Sequence, residues 1–144
     1  MGLLGEKKMK LMNVDGDGNC LYRALVESAC HHKEEKYVFD HMKLRKTLVQ
    51  VMKKKDLQWF KLCAKTTLSE YLNNQQKDGQ WGDENVIKAA AEYYKRTITV
   101  TNVLEGERIF EPPHRLRGPS PAPLRLVLVN LNHYMWVIHG SGLP

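Results

Sequence analysis

Cys20 and His133 are the two side chains of this 144-residue chain whose types and settings could perform covalent chemistry. Cys20 stands where the turn Asp15-Gly16-Asp17-Gly18-Asn19 gives way to an apolar, helix-forming run beginning Leu21-Tyr22-Arg23-Ala24-Leu25. A helix N-terminus at that point offers unpaired backbone N–H groups and partial positive charge, both of which favour thiolate. Such settings lower a thiol pKa from ~8.5 to roughly 3.5–7.5, so alkylation of Cys20 is expected to rise through a pKa below ~8.5. The same N–H groups could hold a developing oxyanion.

A thiol nucleophile needs a base, and a histidine remote in sequence can meet it in the fold. His133 lies at the mouth of two predicted strands, from which a rigid sheet can aim an imidazole at a helix N-terminus. The other histidines suit the role less: His31 and His32 fall at a polar helix end, His41 on a helix, His114 in a proline loop and His139 near the C-terminus. Cys30 and Cys63 sit inside apolar helical patterns and are expected in the core. Cys30-His31-His32 with His41 lacks the paired ligand spacing of a zinc site. Asp15 to Asn19 has the look of a calcium loop, but Val26 stands where the terminal glutamate belongs. No metal and no cofactor is expected.

The elements that must position this pair are helical first and stranded later. Apolar spacing predicts a helix from Cys20 to about His31-His32, a second over Tyr37 to Lys54, and a third over Leu57 to Asn74. Asp78-Gly79 signals a turn, and Asp83 is a plausible cap for a fourth helix, Glu84 to Arg96. Thr97 to Val103 alternates β-branched residues, Glu105-Gly106-Glu107 turns, and Arg108 to Glu111 returns, which makes a hairpin. Pro112-Pro113 and the segment Pro119 to Pro123 bracket a loop. Leu124 to Leu131 and Tyr134 to His139 read as further strands, with Asn132-His133 at the turn between them. The fold class is α+β, helices packed around a small β-sheet.

Size and composition suit one ordinary domain: 42% hydrophobic and 26% charged residues, with no run near the ~20 apolar residues of a membrane span. No membrane association is expected. An odd count of three cysteines argues against a disulfide framework. The start, Met1 to Lys8, has neither the apolar region of a secretory signal nor a myristoylation pattern, so an intracellular location, cytoplasmic or nuclear, is expected. The net charge of +6 comes partly from Lys43-Leu44-Arg45-Lys46 and Lys53-Lys54-Lys55. These read as a solvated helix face, because they lack the interleaved aromatics of a nucleic-acid binder.

Three separated motifs carry a family resemblance. Asp17-Gly18-Asn19-Cys20-Leu21-Tyr22-Arg23-Ala24 resembles the nucleophile motif of the ovarian-tumour (OTU) cysteine proteases, which remove ubiquitin from proteins. Trp81-Gly82-Asp83-Glu84 is similar to that family's central tryptophan-glycine-acid element, and Asn132-His133-Tyr134 to its late histidine motif. Order and spacing agree, and the resemblance spans nearly the whole chain. It implies one OTU-like catalytic domain over residues 1–144, with 1–12 a flexible or edge segment.

By the same resemblance Cys20 is the nucleophile and His133 the general base and then acid. Asp17 is the motif acid, and the backbone N–H groups of Asp17, Gly18, Asn19 and Cys20 form the oxyanion hole. The implied substrates are ubiquitin, polyubiquitin chains or a ubiquitin-like modifier, cut as isopeptides at the C-terminal glycine; a monomer is expected. Trp81 and Glu84 are assigned to the core and the helix start. Met135 stands where many members carry an Asp or Asn that orients the histidine, and Asp17 is the preferred substitute, with Asp15, Asn132, a carbonyl or a bare Cys–His dyad as alternatives. Met135 also motivates the rival reading, a ubiquitin-binding pseudoenzyme, while the lysine clusters motivate a lesser one, a basic nucleic-acid-binding module. Arg115-Leu116-Arg117-Gly118 matches the Arg-Leu-Arg-Gly of ubiquitin's tail and is noted as a self-mimic, coincidence being the simpler account.

Overall fold

A computed structural model describes residues 9–32, 40–113, 121–130 and 132–139. The segment 115–118 noted for its match to ubiquitin's tail lies outside the described residues. Helix α1 (Cys20–His31) is buried on most of its circumference by Cys20, Leu21, Tyr22, Ala24, Leu25, Val26, Ser28 and Ala29. A helix apolar on nearly every side belongs in the middle of a fold. It lies between the sheet and the remaining helices, against β4 (Leu124–Val129) and β5 (His133–His139) on one side and α2 (His41–Lys53) on the other. Asp40 starts α2 by accepting from the N–H groups of Met42 and Lys43. Residues 37–39, expected in that helix, lie outside the described residues.

The expected helix from Leu57 to Asn74 is broken in two. Asp56 caps a single 3₁₀ turn, Leu57–Trp59, the chain then extends at Phe60, and Thr67 caps a new helix, α3 (Leu68–Gln75), by accepting from Glu70 N–H. Two capping side chains outweigh an apolar periodicity that only Trp59, Phe60, Tyr71 and Leu72 use for packing. Cys63 therefore falls in an exposed loop, and Cys30 is exposed on α1, so neither is a core residue. Asp83 caps α4 (Glu84–Tyr94) as expected, and Lys95 ends it in the left-handed region at φ 55°.

The sheet order is β1-β5-β4-β2-β3, with β1 (Met9–Met12), β2 (Ile98–Asn102) and β3 (Gly106–Phe110). Only β2 and β4 run parallel; the other pairings are antiparallel. The first strand pairs Met9 to Met12 with His139 to Trp136, so this part of the N-terminal segment is an edge strand. Ile98, Val100, Leu124, Leu126, Tyr134 and Trp136 share one face and join the core with α1 and α4. Alternation along β5 then puts His133 and Met135 on the opposite face from Tyr134 and Trp136. His133 is the first residue of β5 rather than a turn residue, paired with Val129.

One member of the basic stretch departs from a solvated face. Lys43 and Lys46 are exposed, but Arg45 is fully buried beside Leu44, Leu48, Val49 and Met52.

Candidate active site

Cys20 is the first residue of α1 and wholly buried. Its thiol is bracketed by the backbone on either side of His133: Sγ donates to Asn132 O at 3.4 Å and accepts from Tyr134 N–H at 3.5 Å. The start of α1 and the start of β5 thus meet at the sulfur. Burial pushes the Cys20 thiol up, and the N–H groups of Tyr134 and Leu21 only partly oppose it. Removal from water thus acts against the depressed pKa expected of a helix N-terminus.

The partner of the His133 ring is Asn13, a residue the sequence reading did not consider, and not Asp17. His133 Nε2 lies 2.8 Å from Asn13 Oδ1. The same oxygen accepts from Val14 N–H at 3.0 Å, which sets the orientation of the amide. An oxygen that only accepts requires the hydrogen on Nε2, leaving Nδ1 as the basic nitrogen of the neutral ring. The Nδ1 edge faces the nucleophile turn: a Cβ built on Gly16 would stand 3.5 Å from it.

Asp17 is engaged elsewhere. Arg23 grips its carboxylate with both Nε (3.3 Å) and Nη2 (3.0 Å), and Asn19 N–H donates to Oδ1 at 3.0 Å. The Arg23 guanidinium holds the Asp17 carboxyl below its usual range. Within the predicted oxyanion turn, Cys20 N–H donates back to Asp17 O at 3.1 Å, so two of the four amides already serve the turn itself. A third, Asp17 N–H, faces its own carboxylate, and no described residue accepts from Gly18 N–H. Gly18 meets the 75–82 segment so closely that a Cβ there would stand 1.6 Å from Gly79 O, and only glycine fits.

The tryptophan element sits over the start of α1. Gly82 packs on Leu21, where a Cβ would come within 2.6 Å of Cδ2. Trp81 itself is 43% exposed and is no core residue. Asp83 carries the cap of α4, while Glu84 pairs with Arg108 and with Lys61. A small cleft of about 90 Å³ runs from Glu84 and Arg108 past Phe110 and Leu128 to Tyr134, the residue whose N–H touches the thiol. Among the described residues no three His, Cys, Asp or Glu side chains gather as a metal site requires, and no helix is long and apolar enough to cross a membrane.

Comparison with known proteins agrees with this geometry. The family description OTU-like cysteine protease matches residues 15–135. Two curated relatives come from Arabidopsis thaliana. OVARIAN TUMOR DOMAIN-containing deubiquitinating enzyme 10 is 29% identical over 89 residues, 62% of this chain and 23% of the relative. Enzyme 11 is 24% identical over 110 residues, 76% of this chain and 42% of the relative. The chain therefore spans less than half the length of either. Among solved structures, the OTUD1 OTU domain superposes with a TM-score of 0.71 at 23% identity, covering 95% of this chain and 90% of that one. The Hazara virus OTU bound to ubiquitin gives 0.68 at 17% identity, covering 92% and 82%. At those identities the likeness establishes the fold. With the nucleophile turn, the histidine strand and the match over residues 15–135 in agreement, the chain belongs to the OTU-like cysteine protease family.

Proposed function

We propose that this chain is a deubiquitinase, a thiol hydrolase that cuts the isopeptide bond at the C-terminal glycine of ubiquitin. The observation that carries the reading is the Cys20 thiol lodged between the peptide groups that flank His133, whose ring is oriented by Asn13 with Nδ1 toward the nucleophile turn. That is a cysteine–histidine–asparagine set assembled from α1, β5 and the end of β1.

In the cycle, Nδ1 takes the Sγ proton as sulfur attacks the glycine carbonyl. The imidazolium forms with its Nε2–H still held by Asn13. The carbonyl oxygen becomes an oxyanion against the 17–20 turn, where the N–H of Gly18 retains donor capacity. Collapse breaks the C–N bond, and the Nδ1 proton goes to the departing lysine amine. Water, deprotonated by the same nitrogen, then releases the thioester and restores the thiol. Every step uses groups of this chain together with substrate and water.

Ubiquitin as the substrate rests on family membership and on relatives named as deubiquitinating enzymes. The test pairs a ubiquitin C-terminal electrophile with linked ubiquitin chains. Wild type should form an adduct and cleave chains, and Cys20→Ala should do neither; cleavage persisting in Cys20→Ala would remove the nucleophile assignment. A second reading, ubiquitin binding without turnover, is favoured by the full burial of the resting thiol. Saturable ubiquitin binding with no cleavage of any linkage selects it.

A further inference from the structure

The charge that the mechanism leaves unused is the guanidinium of Arg45. It is fully buried in the midst of the catalytic half of the molecule. Its Nη1 donates to Gln75 O at 2.8 Å and to Gln75 Oε1 at 3.3 Å. Its Nη2 donates to Asn19 Oδ1 at 2.6 Å, to Gln80 O at 2.8 Å and to Gly18 O at 3.4 Å. The plane of the group lies over Tyr22, 4.1 Å from the ring centroid. Among the described residues no carboxylate pairs with it. A cation removed from water is expensive, and simple packing between α2 and α1 could be met by a leucine or methionine.

What distinguishes this cation is the identity of its acceptors. Gly18 and Asn19 are the two residues immediately before the nucleophile, and Gln75 and Gln80 bound the segment against which Gly18 is wedged. Asn19 occupies the N-cap position of α1 yet makes no side-chain cap. Its amide is turned down instead, with Oδ1 accepting from Arg45 and from Gly79 N–H (3.0 Å) and Nδ2 donating to Asp78 Oδ1 at 2.8 Å. An aspartate at 19 could not make that last bond, so the position needs donor and acceptor together. Nearby, Tyr22 OH donates to Gln75 Oε1 at 2.7 Å, which closes the network.

The consequence falls on one peptide plane. The Gly18 carbonyl faces Arg45 Nη2 at 3.4 Å, the longest of that nitrogen's three contacts, and the N–H of the same peptide, on Asn19, points the other way to Asp17 Oδ1. Glycine at 18 gives that peptide freedom to rotate. Released from Arg45, it could present a carbonyl oxygen to the position a tetrahedral oxyanion must occupy, turning attraction into repulsion. We propose that Arg45 is a positioning residue: its guanidinium fork, Nη1 on Gln75 and Nη2 on Asn19 Oδ1 and Gly18 O, holds the 17–20 turn in the orientation that binds the oxyanion. The proposal rests on the reading of Cys20 as the nucleophile of an acyl transfer.

The test separates oxyanion binding from thiol reactivity. Arg45→Lys retains the cation and loses the fork. Wild type and variant are compared for kcat and KM on a fluorogenic ubiquitin C-terminal amide, and for the rate at which iodoacetamide alkylates Cys20, a displacement that forms no oxyanion. Arg45→Lys should lower kcat by about 10²-fold, the loss typical when one oxyanion donor is removed. KM and the alkylation rate should stay within about threefold, the pattern of an interaction made only in the transition state. Equal losses of turnover and alkylation, or unchanged kcat in folded protein, overturn the proposal. Because Arg45→Lys could unfold the chain, Asp78→Ala is measured beside it: Asp78 is exposed, and its removal frees the Asn19 amide that Arg45 holds. A fall of roughly tenfold in kcat with alkylation unchanged supports the proposal; wild-type kcat in Asp78→Ala, with Arg45→Lys unfolded, overturns it in favour of a purely structural bolt. A wild-type chain that turns over no ubiquitin substrate removes the underlying reading and the proposal with it, whereas an active wild type with an indifferent Arg45→Lys removes the proposal alone.

Discussion

Asn13 follows β1 directly, and continuing the Met12–Trp136 register by one residue sets it opposite Met135. The resemblance places the orienting group of many members on the histidine's own strand, at Met135; here Asn13, beside the neighbouring edge strand, meets the ring from the adjacent position. An amide oxygen orients the ring and fixes its tautomer but adds no negative charge to stabilise the imidazolium. Asn13→Ala should therefore lower kcat on a ubiquitin substrate on the order of 10²-fold, short of the ~10⁴-fold loss when a serine-protease triad loses its carboxylate. Asn13→Asp, which keeps an acceptor in place, should retain most activity. Steady-state kinetics of the two variants check this, and equal activity of Asn13→Ala and wild type would show that the ring is held by its strand alone.

At the level of elements, the site is a junction between loops and helix starts, and caps matter there more than helix interiors. Asp83 serves two elements at once: it accepts from Val86 N–H to start α4 and from Tyr71 OH at 2.7 Å to tie α3 to that start. Asp83→Ala removes a cap worth ~1 kcal/mol and leaves a half-buried hydroxyl without its acceptor for ~1–2 kcal/mol more, about 2–3 kcal/mol in all. Urea unfolding with an unchanged m-value measures it. A loss under ~0.5 kcal/mol would mean that packing alone starts α4. The same element scale explains the broken third helix. Thr67 and Asp56 are capping residue types plainly present in the sequence, yet an apolar periodicity running through them reads as continuous helix until the caps are seen to be used.

For the molecule as a whole, the decisive fact is that α1 is the central helix, so its first residue is sealed between sheet and turn. Burial pushes the Cys20 thiol up from its ordinary value. A folded-state pKa above the unfolded one means that the native state keeps its proton longer, so stability falls as pH rises past the ordinary thiol range. Alkylation of Cys20 in the resting protein should accordingly be slow near neutrality and rise at a pH above the ordinary thiol value. A pH profile of iodoacetamide modification, followed by mass spectrometry at Cys20, checks it; a plateau reached below pH ~8 would show that the helix N-terminus and His133 outweigh burial. In turnover, proton transfer to His133 would then accompany attack rather than precede it.

The sequence alone determined what local physics controls. Glycines and polar residues before an apolar run place a helix start at Cys20, Asp83 starts α4, β-branched alternation marks the hairpin, and three spaced motifs identify the family. These signals act over a few residues, through caps, periodicity and turn conformations. Tertiary structure decided what contacts between remote residues control. His133 finds Asn13 across 120 residues, Arg45 reaches Asn19 across 26, and the thiol is raised rather than lowered because two elements close over it. An asparagine before Val14-Asp15-Gly16 and an arginine among lysines carry no mark of those roles in the sequence, since both depend on which strand lies beside β5 and what lies beneath the turn.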